Sequence, residues 1–136
     1  MAALSDARLL LDLEVAPSHV GVMAEVHASF TPVETFLMKN AGLQFRLHCR
    51  LRSTNGITDD TLITLASRIL TAGSTVYFEA AAIPSQLVDR RGGRRDVYAR
   101  FDLESLEPIL PVGVRLDSNR VRYQTEERHA GAIVAW

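Results

Sequence analysis

The chain of 136 residues has few aromatic residues, one lysine, one cysteine and almost no net charge. Aromatic residues make up 7% of the sequence, so a core must be built mainly from leucine, valine, isoleucine and alanine. The formal net charge of -1 gives no overall field that would draw the protein to nucleic acid or to an anionic membrane. Any such attraction has to come from a local cluster of charges.

Two further absences bear on where the protein works. No uninterrupted apolar run approaches the roughly 18 residues of a membrane-spanning helix, and the N-terminal segment lacks the basic start and apolar core of a signal peptide. Cys49 is the single cysteine, which excludes an intrachain disulfide and favours a reducing compartment. We therefore expect a cytoplasmic protein that does not bind membranes, with Cys49 buried in its core.

Several segments alternate between apolar and polar residues with a period of two, which is typical of strands that have one buried face. These segments are 9–15, 20–30, 43–52, 75–82 and 97–103. Because the first two are separated by a short connection, they predict an antiparallel hairpin.

Two helices are predicted between and beside these strands. Thr31 and Glu34 have the spacing of a capping box, which predicts a short helix that contacts the core through Phe36 and Leu37. Residues 58–70 place leucines and an isoleucine at three- and four-residue intervals, which predicts a second, longer helix.

These elements predict a single α+β domain over residues 1–136, in which a mainly antiparallel sheet of six to eight strands carries two helices packed on one face. A β-barrel with peripheral helices is the alternative. We also predict a hairpin that joins 75–82 to 97–103 through a glycine-containing tip, and a last short hairpin within residues 112–123.

The strand predicted at 43–52 carries the first candidate site. Leucine, phenylalanine and cysteine side chains alternate there with four basic ones, which lie on the opposite face about 7 Å apart. These basic residues are Arg46, His48, Arg50 and Arg52. Because neighbouring positive charges repel, the face needs either carboxylates from adjacent strands or an anionic partner, and the sequence leaves both interpretations open.

The second candidate site is the arginine-rich hairpin tip. Two arginine pairs flank two glycines there, in a pattern that suits phosphate, nucleic acid or an acidic protein surface. The four residues are Arg90, Arg91, Arg94 and Arg95. Only Tyr98 offers a nearby ring for base stacking, which disfavours nucleic acid.

The third candidate site is the apolar segment 130–136, which contains the only tryptophan. Ile133, Val134 and Trp136 would be poorly hydrated if they were exposed. The segment therefore predicts either a final strand in its own core or an interface with a neighbouring subunit, and hence a homo-oligomer.

No catalytic motif, phosphate-binding glycine loop or metal-ligand spacing is present, so we assign no catalytic residue, metal or cofactor. The leading hypothesis is a non-enzymatic binding or assembly module that self-associates and uses its arginine-rich surface for an acidic protein or a small anion. The alternative is a small enzyme with a polar, sheet-lined pocket for a carboxylate- or phosphate-bearing small molecule. In that enzyme Glu25 or His48 would act as acid or base, and Arg46 or Arg50 would bind the substrate. Nucleic-acid binding is a third, disfavoured hypothesis.

Overall fold

A computed structural model describes residues 2–16, 19–54, 59–83, 87, 95–106 and 113–123. This part of the chain forms nine strands and one helix. In chain order the elements are β1 (Ala3–Ala16), β2 (His19–Ser29), α1 (Pro32–Asn40), β3 (Phe45–Thr54), β4 (Asp59–Thr64), β5 (Arg68–Leu70), β6 (Ser74–Ala82), β7 (Arg95–Ser105), β8 (Gly113–Asp117) and β9 (Val121–Tyr123).

The strands form two antiparallel sheets rather than the one sheet expected from the sequence. The first sheet has the order β1-β2-β6. The second has the order β4-β3-β7-β8, with β5 also paired to β3 and β9 also paired to β7. Neither sheet closes into a barrel over the residues described, so the barrel alternative is wrong for this part of the chain.

A single core lies between the two sheets because both contribute their apolar faces to it. Phe78 of the first sheet and Phe101 of the second have ring centroids 6.0 Å apart. Phe30, which follows β2, lies 4.6 Å from the ring of Phe45 on β3. The period of two therefore sorts residues correctly on each strand, although it does not reveal that the strands divide between two sheets.

The first predicted helix is present as α1, with the capping box intact. The backbone N–H of Glu34 donates to Thr31 Oγ1 at 3.2 Å, and Glu34 Oε1 accepts from the N–H of Thr31 at 2.9 Å. Met38 is the buried side chain of this helix, whereas Phe36 is 63% exposed, so the prediction that Phe36 contacts the core is wrong. No helix in the described part of the chain is long and apolar enough to cross a membrane.

The second predicted helix is wrong, because its residues form β4 and β5 on the outer edge of β3. Pairing with that edge satisfies backbone groups of β3 from Phe45 to Thr54, which an α-helix would leave open. The segment is also rich in threonine and isoleucine, whose branching at Cβ favours strands. Leu65 and Leu70 are still buried, but Ile69 is 44% exposed, so the apolar spacing predicts burial only in part and does not predict the backbone conformation.

Two predicted hairpins are also wrong. β6 pairs with β2 and β7 pairs with β3, so the chain passes from the first sheet to the second between β6 and β7. β8 and β9 do not pair with each other; they follow one another along the same edge of β7. In both cases long-range pairing determines the neighbours, and the turn residues in the sequence do not encode it.

Asn119 lies between β8 and β9 and joins the two sheets. Its Oδ1 accepts from the backbone N–H of Leu9 at 2.9 Å, and its Nδ2 donates to the Leu9 carbonyl at 3.1 Å. The side-chain amide thus takes the place of a strand partner on the outer edge of β1.

Candidate binding face

The alternation in β3 is confirmed, and it separates a buried face from a polar one. Phe45, Leu47, Cys49 and Leu51 are fully buried. Burial raises the pKa of the Cys49 thiol to about 12, so this cysteine is a core residue rather than a nucleophile at neutral pH. The four basic side chains of β3 lie on the outer face of the second sheet, partly exposed.

The pairing of β3 with β7 places arginines directly opposite each other at Arg50 and Arg100. Each arginine instead binds a nearby carboxylate. Arg50 Nη2 donates to Asp102 Oδ2 at 2.7 Å, and Arg100 donates through Nε and Nη2 to both oxygens of Asp117 at 2.9 and 3.2 Å. The hydrogen bonds to Asp117 raise the pKa of Arg100, although burial acts in the opposite direction. The like-charge repulsion is therefore neutralised within the sheet.

Asp102 is the centre of a three-residue ion cluster. It accepts from Arg50 on one side and from Arg115 Nε on the other, both at 2.7 Å. Burial alone would raise the pKa of Asp102, but the hydrogen bonds from Arg115 and Arg50 outweigh it and hold that pKa below its ordinary value. Asp102 is therefore a carboxylate throughout the physiological range.

Tyr98 lies on the same face but is only 2% exposed, because charged side chains cover it. Its hydroxyl donates to Asp59 Oδ2 at 2.5 Å and accepts from Arg52 Nε at 3.3 Å. Burial and the bond to Asp59 raise the pKa of Tyr98, and the same bond lowers the pKa of Asp59. The guanidinium groups of Arg100 and Arg120 lie 5.7 and 5.8 Å from the centre of the Tyr98 ring.

His48 and Arg46 complete the row on β3, and they differ in their partners. His48 Nε2 lies 3.1 Å from Glu104 Oε1. Arg46 is directly opposite Glu104 in the register, but that carboxylate bonds to His48. Among the residues that the structure describes, Arg46 has no ion pair or hydrogen-bond acceptor, and its Nε is buried without an acceptor. Arg46 is therefore the one β3 cation on this face without a protein partner in the described part of the chain.

An open cleft of about 750 Å³ lies on this face, and Arg46 is not part of its lining. His48, Arg50, Asp102, Glu104 and Arg115 supply its charged lining. Arg50 Nε is a second buried guanidinium N–H for which the described residues provide no acceptor. The charged side chains of the cleft therefore form a largely paired ion lattice, and the guanidinium of Arg46 lies outside its lining.

Glu25 and His48, the two candidate acid or base residues of the enzyme hypothesis, lie far apart in the structure. Glu25 lies on the outer face of the first sheet, on the opposite side of the molecule from His48, so the two cannot share one active site. Glu25 lies 3.8 Å from Arg8, and the neighbouring His27 bonds to Thr75. Within the described residues no three histidine, cysteine, aspartate or glutamate side chains lie close enough to hold a metal ion.

Most of the other predicted site residues lie outside the part of the chain described. Arg90, Arg91 and Arg94 are outside it, as are Ile133, Val134 and Trp136. Arg95 begins β7 and pairs in register with Tyr123. The arginine-rich tip and the apolar segment 130–136 therefore remain predictions from the sequence.

We did not predict from the sequence the hydrogen-bonding roles of Tyr98 and Asn119 or the ion pair of Arg115 with Asp102. Alternation would have placed Tyr98 on the polar face, and the same parity applies to Arg115 once β8 is aligned with β7. No pattern in the sequence signals the role of Asn119, because its contact with Leu9 spans 110 residues.

Comparison with known proteins adds no relative from which a function could be transferred. No protein-family model matches the chain, and no curated protein matches it significantly. We therefore infer function from the geometry of the face itself.

Proposed function

We propose that the protein is a binding module whose polar face on the second sheet receives an anionic group, a carboxylate or phosphate, beside Arg46. The observation that carries this proposal is the missing partner of Arg46 among the described residues. An oxyanion that binds the guanidinium of Arg46 would gain charge-assisted hydrogen bonds, each of roughly 1.5–3 kcal/mol.

The surroundings of Arg46 favour recruitment of an external anion over internal pairing. Glu104 is the carboxylate opposite Arg46, and its bond to His48 leaves the guanidinium without it. The other in-register neighbour is Ile69 on β5, which is 44% exposed and carries no charge. A planar guanidinium in this setting suits a carboxylate or phosphate because it can donate two parallel hydrogen bonds.

Selectivity would come from the ion lattice around the cleft. Asp102 and Glu104 repel an anion from most of the cleft lining. An anionic ligand therefore binds most favourably where a positive charge has no carboxylate partner. The proposed site is therefore local to Arg46, rather than a property of the whole cationic row.

Calorimetric titration with inorganic phosphate and with a short glutamate-rich peptide tests the proposal. Arg46→Gln should weaken binding of both probes about tenfold, which corresponds to one charged hydrogen bond of roughly 1.5 kcal/mol. Arg122→Gln is the matched control, because Arg122 is exposed and already pairs with Asp96 at 3.3 Å. Equal affinity for the wild type and Arg46→Gln, or an equal loss in Arg122→Gln, would reject the site.

A second candidate function is supported by the cleft itself: a small enzyme acting on a carboxylate- or phosphate-bearing small molecule. His48 would move the proton, with Glu104 orienting its ring at 3.1 Å, while Arg50 bound the substrate anion. Glu25 has no place in this version, since it lies on the other sheet.

Turnover of phosphate monoesters or of small carboxylate esters distinguishes the two functions. An enzyme that uses this cleft should lose turnover in His48→Gln while it still binds inorganic phosphate. A binding module should show no turnover in either protein.

A further inference from the structure

The strand β6 forms an edge of the first sheet, and its backbone is a candidate for pairing with another strand. Nine positions of β6, from Ser74 to Ala82, pair with β2 on one side. On its other side β6 has no strand partner among the residues described. The strand contains no proline and a single charge, Glu79, so it lacks the usual features that prevent edge-to-edge pairing.

An open groove of about 590 Å³ lies along this edge, between β6 and the neighbouring β5. Arg68 borders the groove and lies 5.3 Å from the centre of the Phe78 ring. Glu79 also lines it and is exposed. In the described part of the chain neither Arg68 nor Glu79 has an ion-pair partner, so the edge presents two opposite, uncompensated charges.

We propose that β6 pairs antiparallel with β6 of a second copy of this chain, on a two-fold axis at Phe78. Phe78 is the middle residue of the strand, so this register alone pairs all nine positions with their counterparts. Moving the axis to Glu79 would shorten the ladder and place two carboxylates opposite each other.

The side chains complement each other in the Phe78 register. Glu79 of each copy lies opposite Tyr77 of the other, because the sum of paired residue numbers is constant in an antiparallel ladder. Tyr77 is 60% exposed and carries a hydroxyl that can donate to a carboxylate. Two Arg68 guanidinium groups and two Glu79 carboxylates then lie near the axis, so the charges balance there. The inference is independent of the proposed anion site, which lies on the outer face of the second sheet.

Sedimentation equilibrium of the full chain tests the proposal through two variants at one exposed position. Tyr77→Glu places a carboxylate opposite Glu79 twice per dimer and should raise the dimer dissociation constant about tenfold or more. Tyr77→Lys places an ammonium group opposite Glu79 and should leave the dissociation constant unchanged or lower. The double variant Tyr77→Glu with Glu79→Lys should restore the wild-type value, because each new carboxylate then faces a lysine.

The control is Val33→Glu, which adds the same charge at a 69% exposed apolar position on α1 and should not affect association. Circular dichroism checks that each variant is folded. A monomeric wild type, or a dimer that Tyr77→Glu leaves intact, would overturn the proposal. Equal weakening of the dimer by Tyr77→Glu and Tyr77→Lys would overturn the Phe78 register. In that register position 77 lies opposite Glu79, so a negative and a positive charge introduced there must change the dissociation constant in opposite directions.

Discussion

Asp102→Asn is the most informative perturbation of the polar face, because Asp102 accepts from two arginines at once. Both N–O distances are 2.7 Å, and the Asp102 side chain is 20% exposed. The substitution keeps the shape of the side chain but removes the charge that Arg50 and Arg115 share. It therefore tests whether the lattice stabilises the fold and whether it limits anion binding.

The expected loss of stability follows from the exposure of the partners. A hydrogen bond to a charged group contributes roughly 1.5–3 kcal/mol when it is shielded from water. The Arg50 and Arg115 side chains are 36% and 56% exposed, so solvent screening reduces both contributions substantially. We expect a combined loss of about 1–2 kcal/mol in the free energy of unfolding, or about 3–7 °C in the melting temperature of a chain of this length.

The lowered pKa of Asp102 determines how the stability difference between wild type and Asp102→Asn changes with pH. The pKa of Asp102 is lowered in the folded protein from the ordinary value of 3.8. Its charged form therefore stabilises the fold above the unfolded-state pKa, and this contribution disappears as the pH falls through the lower folded-state pKa. The difference in melting temperature between wild type and Asp102→Asn should be constant near neutral pH and should vanish in acid.

Thermal denaturation monitored by circular dichroism over a pH series measures this difference. Asp6→Asn is the control, because Asp6 is exposed and asparagine tolerates its positive φ of 53°. The same substitution at Asp102 should also strengthen inorganic phosphate binding, since it releases two guanidinium groups in the cleft. Unchanged stability at neutral pH, or weaker phosphate binding, would refute the account of the lattice.

Three further predictions concern other parts of the molecule. Asn119→Ala should lower the free energy of unfolding by about 1–3 kcal/mol in chemical denaturation, because it leaves the backbone N–H and carbonyl of buried Leu9 without their partner. The control Asn40→Ala, at the exposed end of α1, should lower it much less. Cys49 should react with a thiol reagent only at the rate of unfolding, since burial raises its pKa to about 12; fast reaction under native conditions would contradict its place in the core. The arginine-rich tip contains Arg90, Arg91, Arg94 and Arg95. If it binds acidic partners, replacing these four arginines with serine should abolish binding of a glutamate-rich peptide at low salt. Retained affinity would show that the tip is not the binding site.

The sequence predicted the local features of the fold well. Alternation identified the buried and polar faces of β3, and the capping box at Thr31 and Glu34 located the start of α1. Both features depend on residues close together in the chain, where side-chain direction follows directly from backbone geometry. The burial of Cys49 followed from the same alternation.

Features that depend on distant pairing could not be predicted in this way. Residues 58–70 have a helical spacing of apolar residues, yet the open edge of β3 draws them into strands. The sequence also treated the four basic residues of β3 as equivalent. The register between β3 and β7 places Glu104 opposite Arg46, and only the side-chain geometry shows that Glu104 binds His48 and leaves Arg46 without a partner among the described residues.

The most direct test of the account is to observe the Arg46 Nε–Hε group by nuclear magnetic resonance during titration with inorganic phosphate. We expect the Arg46 resonance, assigned by its loss in Arg46→Gln, to shift further than those of Arg100 and Arg122, whose Nε groups already donate to Asp117 and Asp96. An Arg46 resonance that stays unchanged while phosphate saturates the protein would contradict the account.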